Sequence, residues 1–533
     1  MRPDYIILGA GSAGCVLARR LSDDPGCRVL LLEAGGEARH PEIPIPGAAP
    51  NLQGTRIDWA FRTEPQVNLD DRRIDCPRGR CLGGSSVINY GMYVRGNRGD
   101  YDHWRELGNA GWDYDSVLPY FLRSETNGGF ADGFHGADGP LGVESFAQKS
   151  ELHAAYLEAA QSAGLPLNAD FNGRTQEGCG FYQGTRSRGR RSHAGAYLTE
   201  AGERENLVVR TGCLVTRLLV ESGRVLGVEF IAQGRSIERD YASAEVICCA
   251  GAIGSPHILM LSGIGPADQL RVHGIAVAAD LAGVGQNLID HLGRTNVSFT
   301  VREPGRFGLP SPSFADCVRQ FERDGTGPLS TMQLDVGAFC RLRAEDAYPS
   351  AQLMFVTPRV AGRYPGDSGG HTVNLGGYVC RPQSRGSVTL ASADPLDRPL
   401  IDPNYLSAAD DLELMIEMVR RNLEIAQARP FDGVRERLTV DLGSREKIER
   451  HIRANASTAF HPVGTCRMGV DDRAVVDADL KVRGLTGLRI CDASVMPTIV
   501  SGNTNAPVIM IAEKAADLVR GTHAGGANDP IPA

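Results

Sequence analysis

Gly9-Ala10-Gly11-Ser12-Ala13-Gly14 follows an apolar tetrad, Tyr5 to Leu8, and opens onto helically spaced apolar residues from Cys15 to Leu21. Glycines at this spacing let the chain turn tightly out of a strand and bring backbone N–H groups onto a pyrophosphate at a helix amino terminus. Glu33 stands at the end of a second buried run, Arg28 to Leu32. An acid there accepts a hydrogen bond from a ribose hydroxyl and repels the extra phosphate of NADP. The motif points to a dinucleotide and leaves FAD and NAD both open. A second group, Gly79-Arg80-Cys81-Leu82-Gly83-Gly84-Ser85-Ser86-Val87-Ile88-Asn89, reads alone as a Gly-rich turn whose N–H groups could face a flavin ring or a phosphate. Ser85 and Ser86 lack the G-x-S-x-G elbow of a hydrolase. His461-Pro462-Val463-Gly464-Thr465-Cys466 carries an imidazole, which titrates near neutral pH and can take a proton. In isolation, a histidine before proline in a polar loop is an ordinary turn residue.

The elements that must position these groups begin with a βαβ unit at the amino terminus. Residues 35–84, rich in Pro, Gly and Arg, predict an extended excursion; 100–123 and 150–164 predict helix. Leu207 to Gly212, Val215 to Val220 and Val225 to Phe230 predict a small antiparallel run. Glu245 to Ala250 predicts a buried strand leading into Gly251-Ala252-Ile253-Gly254-Ser255-Pro256, where Pro256 opens a short helix that Gly263 ends. Residues 294–455 alternate strand-like runs with one long helical stretch, Asp410 to Arg429. Leu488 to Asp492 returns to a strand, and Val508 to Val519 predicts a closing helix. The fold class is α/β: a discontinuous Rossmann-like domain (1–293 and 456–520), a second α+β domain of sheet covered by helices (294–455), and a loose tail (521–533).

A chain of 533 residues exceeds one compact core, which agrees with two domains. With a net charge of −8 and no basic run, it is expected to bind no nucleic acid. Lacking a signal peptide or a long apolar stretch, it is expected to be cytoplasmic. Its 13 cysteines read as reduced core thiols, and no CxxC pair or HExxH suggests a metal. His103, His257 and His291 read as structural, and Asp335 reads first as a solvated carboxylate, second as a group that could meet a cation.

These motifs, together with Ala282-Gly283-Val284-Gly285-Gln286-Asn287-Leu288-Ile289-Asp290-His291, Cys491-Asp492-Ala493-Ser494-Val495-Met496-Pro497 and Ser501-Gly502-Asn503-Thr504-Asn505-Ala506-Pro507, resemble the glucose–methanol–choline (GMC) oxidoreductases. The resemblance runs over nearly the whole chain in order. Within the family it looks most like the branch of bacterial choline dehydrogenases, L-sorbose dehydrogenase and pyridoxine 4-oxidase. It implies FAD rather than NAD, and a small alcohol substrate that gives hydride to flavin N5. His461 is then the general base, and Asn503, matching a second site residue that is His or Asn in the family, donates a hydrogen bond to the same oxygen. The implied cofactor contacts are Gly9, Gly11, Ser12, Ala13, Gly14, Glu33, Ala34, Arg80, Gly83, Gly84, Ser85, Asn89, Val215, Asp492, Ala493, Asn505, Ala506 and Pro507. Ile88 occupies the position where some members carry a flavin-linking histidine, so the FAD is expected to be non-covalent. A quinone-type acceptor or O2 would complete the cycle. A hydroxynitrile lyase of the same fold is the alternative, disfavoured by Asn503; a photodecarboxylase is disfavoured by His461.

Overall fold

The computed structural model describes residues 2–146, 150–307, 313–358 and 371–521; the expected tail beyond Gly521 lies outside these. Four parallel strands of buried aliphatic residues, Val29–Glu33, Tyr5–Leu8, Glu245–Cys248 and Leu488–Ile490, lie side by side in that order. Leu207–Thr211 adds a fifth strand, parallel to Val29–Glu33. Here the expectation of one antiparallel run is corrected. Leu207 to Thr211 extends the parallel sheet, while Cys213–Glu221, Arg224–Ala232 and the unforeseen Ser236–Tyr241 form the antiparallel sheet. Alternation within a five-residue run cannot tell which neighbour it will pair with.

Helices Ser12–Leu21 and Asn505–Arg520 pack together, and their apolar faces join the core of the parallel sheet. The last helix therefore starts three residues before the expected Val508. Residues 100–123 form two helices, Arg98–Glu106 and Tyr114–Ser124. Pro256 does not open its helix but sits inside Gly251–Leu261. The carbonyl that Pro256 leaves without its i+4 donor, Ala252 O, accepts a hydrogen bond from Thr465 Oγ1 at 2.6 Å. The HPVGTC segment thus repairs the helix that the proline interrupts.

The second layer is an antiparallel sheet in the order Arg435–Leu438, Val297–Val301, Thr372–Val379, Ala351–Val356, Val336–Cys340 and Gly178–Phe181. It recruits its last strand from the amino-terminal part of the chain. Short strands Leu292–Gly293 and Ser457–Thr458 pair at its margin. One face, with Leu353, Phe355, Val373 and Leu375, packs under helices Glu151–Ser162 and Ala409–Gln427. Period-two alternation turns Gln352 and Met354 to the opposite side, which looks toward the Rossmann-like layer.

The cysteines are all unpaired, and 12 of the 13 are buried, as expected for core thiols. No helix among the described residues is long and apolar enough to cross a membrane. Asp335 corrects its first reading: it is 1% exposed at the head of strand Val336–Cys340, 3.9 Å from His153 Nε2, and burial raises its pKa to about 6. It is not among the residues lining the main cavity, so it offers no visible cation contact there.

Candidate active site

A cavity of about 620 Å³ runs from the first βα turn to the margin of the antiparallel sheet. At one end lie Gly9, Gly11, Ser12, Ala13, Glu33 and Ala34. Gly11 precedes helix Ser12–Leu21, whose amino terminus has no side-chain cap. A Cβ on Gly11 would meet nothing within 4 Å, so the bare backbone faces the cavity. Gly14 does not line it. A Cβ there would sit 1.9 Å from Gly9 O, so this glycine lets helix and strand close together. Gly84, at φ +54°, brings the second motif against the first; its Cβ would lie 2.6 Å from the Gly11 Cα.

Glu33 is 5% exposed, and its carboxylate accepts from Ala10 N (2.9 Å) and Gly35 N (2.8 Å). Burial outweighs these donors and raises its pKa to about 7. Further along, Arg80 stacks on Trp59 at 4.5 Å with a buried Nε that has no hydrogen-bond partner. Ser85, Asn89, Val215, Asp492, Ala493 and Asn505 also line the cavity. Asp492 accepts from Gly251 N, Ser255 Oγ and Ser494 N, which ties it to the start of helix Gly251–Leu261. Ser12 Oγ donates to Asn505 Oδ1 at 2.7 Å, joining two helix amino termini that both lack side-chain caps. Gly83, Ala506 and Pro507 are packed behind the lining rather than in it. An uncapped helix end, an unpaired guanidinium nitrogen and an acid at the end of the second strand fit an elongated dinucleotide with a central diphosphate.

At the other end, His461 and Asn503 line the cavity, with Asn503 Nδ2 3.2 Å from His461 Nε2. Two features aim the imidazole. Phe460 adopts φ +69°, a strain of about 1–2 kcal/mol for a residue with a Cβ. The His461 N–H is held by Asp290 Oδ1 at 2.8 Å. Asp290 also accepts from Tyr405 Oη at 2.5 Å and from Thr458 Oγ1.

The protonation pattern follows from the chain of contacts. Cys380 O can only accept, so His291 Nε2, 2.8 Å away, donates to it. His291 Nδ1 is then an acceptor, and His461 Nδ1, 3.0 Å away, donates to it. That leaves a lone pair on His461 Nε2, facing the NH2 of Asn503 and the cavity. Burial first, then His291 and Arg78, hold His461 well below its usual 6.5, so the ring is neutral at neutral pH. His291, read from sequence as structural, hydrogen-bonds His461 and sets the tautomer of that ring. Its motif gave no hint, because the pairing of His291 and His461 comes from strands Leu292–Gly293 and Ser457–Thr458, 165 residues apart. His257 also lines the cavity and is pushed down to about 4 by burial, whereas His103 is remote and faces Glu106.

A glycine-lined cavity that ends on a neutral, oriented imidazole fits a dinucleotide-dependent oxidoreductase. The chain belongs to the GMC oxidoreductase family, whose two models match residues 3–293 and 382–512. It is 43% identical to human mitochondrial choline dehydrogenase, over 97% of this chain and 89% of that one. It is 40% identical to an alcohol dehydrogenase [acceptor] of Pseudomonas putida, over 97% and 95%. Among solved structures, pyridoxine 4-oxidase from Mesorbium loti superposes with a TM-score of 0.90 at 33% identity, covering 98% of this chain and 100% of that one. The protein is thus a GMC-type FAD-dependent alcohol dehydrogenase or oxidase.

Proposed function

We propose that this enzyme oxidises a small polar primary alcohol to the carbonyl, with His461 Nε2 taking the hydroxyl proton. The observation that carries this reading is the tautomer of His461. The relay from Cys380 O through His291 leaves the nitrogen that faces the cavity unprotonated. A neutral imidazole placed against a hydroxyl is the arrangement general-base catalysis requires. The Asn503 NH2 beside it can turn from Nε2 to the substrate oxygen once alcohol is bound, freeing the Nε2 lone pair for the hydroxyl proton and donating to the oxygen as negative charge develops. Bound FAD supplies the acceptor for the electron pair leaving the alcohol carbon. The neighbouring helix starts at Gly11 and Asn505 would hold its diphosphate and ring, and their uncapped N–H groups favour negative charge there. We further propose that a quinone-type acceptor or O2 receives the electrons; the names of the relatives divide between the two. The relatives reported are dehydrogenases and an oxidase and lend nothing to the lyase alternative. The test is anaerobic mixing with a panel of alcohols while the flavin band is followed. Bleaching by at least one small alcohol supports oxidation, and a flavin that no alcohol reduces would refute it.

Two expectations concern the cofactor. Ile88 lines the cavity where a linking histidine would stand, so acid precipitation should release all the flavin into the supernatant; yellow colour retained in the pellet would show a covalent bond. Glu33→Ala should weaken FAD retention about 10–100-fold, the equivalent of one hydrogen bond to a charged group. Fluorescence titration of the apoprotein would show it, and an unchanged affinity would remove Glu33 from the ribose site.

A further inference from the structure

The proton relay described so far runs from the Cys380 carbonyl to Asn503. A second arm reaches Asn503 from the other side. Gln352, fully buried, places Nε2 3.2 Å from Met92 Sδ and 3.4 Å from Asn503 Oδ1. Its Oε1 accepts a hydrogen bond from the Tyr378 hydroxyl. Gln352 and Tyr378 are directly opposed on neighbouring strands of the antiparallel sheet, and the Tyr378 ring stacks on His291 at 4.3 Å. The groups close a ring: His291, His461, Asn503, Gln352, Tyr378 and back to His291.

The direction of this ring is determined twice. A thioether sulfur accepts and cannot donate, so Met92 draws the NH2 end of Gln352. That NH2 then meets the carbonyl end of Asn503, which leaves the Asn503 NH2 to face His461. From the opposite end, Cys380 O forces the same outcome through His291. Two acceptor-only groups, one on each arm, thus impose one proton arrangement. We infer that Gln352 is a positioning residue: anchored by Met92 and Tyr378, it decides which end of the Asn503 amide faces His461 and so keeps the proton off Nε2. This rests on the proposed role of His461 as base and adds to it a residue of the antiparallel sheet that does not itself line the cavity and acts on His461 only through Asn503.

The decisive variant is Gln352→Glu in the FAD-loaded enzyme. It keeps the shape but offers only acceptors when ionised. A carboxylate would draw the Asn503 NH2 to itself, turn Oδ1 toward His461, and pull the ring proton onto Nε2. Alcohol-driven flavin reduction should then fall about 10–100-fold at neutral pH, the value of one oriented hydrogen bond to a charged reacting group. The loss should lessen toward low pH, as the new carboxyl gains a proton. The other titratable and charged groups against His461 are Arg78, Asp290, His291 and Tyr378, with Cys380 beside His291 and Tyr182 near Gln352; the substitution replaces none of them, so the parental pH profile is the baseline. Gln352→Met, similar in volume and unable to ionise, is the control. It should lose less, about threefold to tenfold, with the parental pH profile. If the Glu variant keeps the parental rate and pH profile while His461→Ala is slow, Gln352 does not set the amide and the inference is overturned, the base assignment standing. If neither is slow, the base assignment falls first and the inference with it. Should the Glu variant fail to hold FAD, the Met variant decides: a parental rate overturns the inference, and a fall that Tyr378→Phe reproduces upholds it.

Discussion

Replacing His461 with alanine is expected to leave FAD bound and to slow alcohol-driven flavin reduction by about 10²–10⁴-fold, the usual contribution of a positioned general base. The side chain lies at the end of the cavity away from the Gly11 cradle, so the flavin spectrum should hardly change. Asn503→Ala should cost less, because it removes a hydrogen-bond donor and no proton acceptor. The order of the two variants is the test, read by anaerobic single-turnover reduction at the flavin band. An Asn503 variant slower than the His461 variant would reverse the roles assigned here. The pH dependence carries a second check. The active form is the neutral imidazole, and burial with His291 and Arg78 pushes its pKa down. The acid limb of kcat/KM should therefore lie below pH 6.5, and the rate should stay level through the neutral range. An acid limb above 7 would contradict this environment.

His291→Phe is expected to be the next most damaging change, slowing reduction by about 10²–10³-fold. Phenylalanine preserves the stack on Tyr378 but gives the His461 Nδ1–H nothing to donate to. The buried ring then gains by moving its proton to Nε2, the nitrogen that must be free. In a serine-protease triad, forcing the wrong tautomer costs roughly 10⁴-fold. The lower figure here reflects the opposing hold of Gln352 on Asn503. His291→Asn, able to accept at the same place, should recover part of the rate. If His291→Phe reduces its flavin at the parental rate, the tautomer argument fails even though His461 remains the base.

The cofactor end of this protein was legible from sequence because its demands are local. Gly9 to Gly14 and Glu33 belong to one continuous strand–turn–helix–strand, and the steric reasons for each glycine act within a few residues, as the 1.9 Å approach at Gly14 shows. The His461 end was legible only through the order of motifs. His461 and Asn503 are 42 residues apart, and nothing in their own neighbourhoods says that they meet at 3.2 Å.

The sequence by itself determined the parallel core and the dinucleotide turn, because burial pattern and glycine sterics are written in short runs; it pointed to His461 and Asn503 only through the family resemblance. The tertiary structure alone decided which proton each ring carries. The acceptor-only ends of the network, Cys380 O and Met92 Sδ, reach it from separate parts of the chain, while the strand Ala351–Val356 supplies the Gln352 that links it. It also decided that Leu207–Thr211 would pair in parallel and that Asp335 would be buried. Those outcomes depend on which long-range partner is nearest once the layers pack, and no local period or charge pattern encodes that choice.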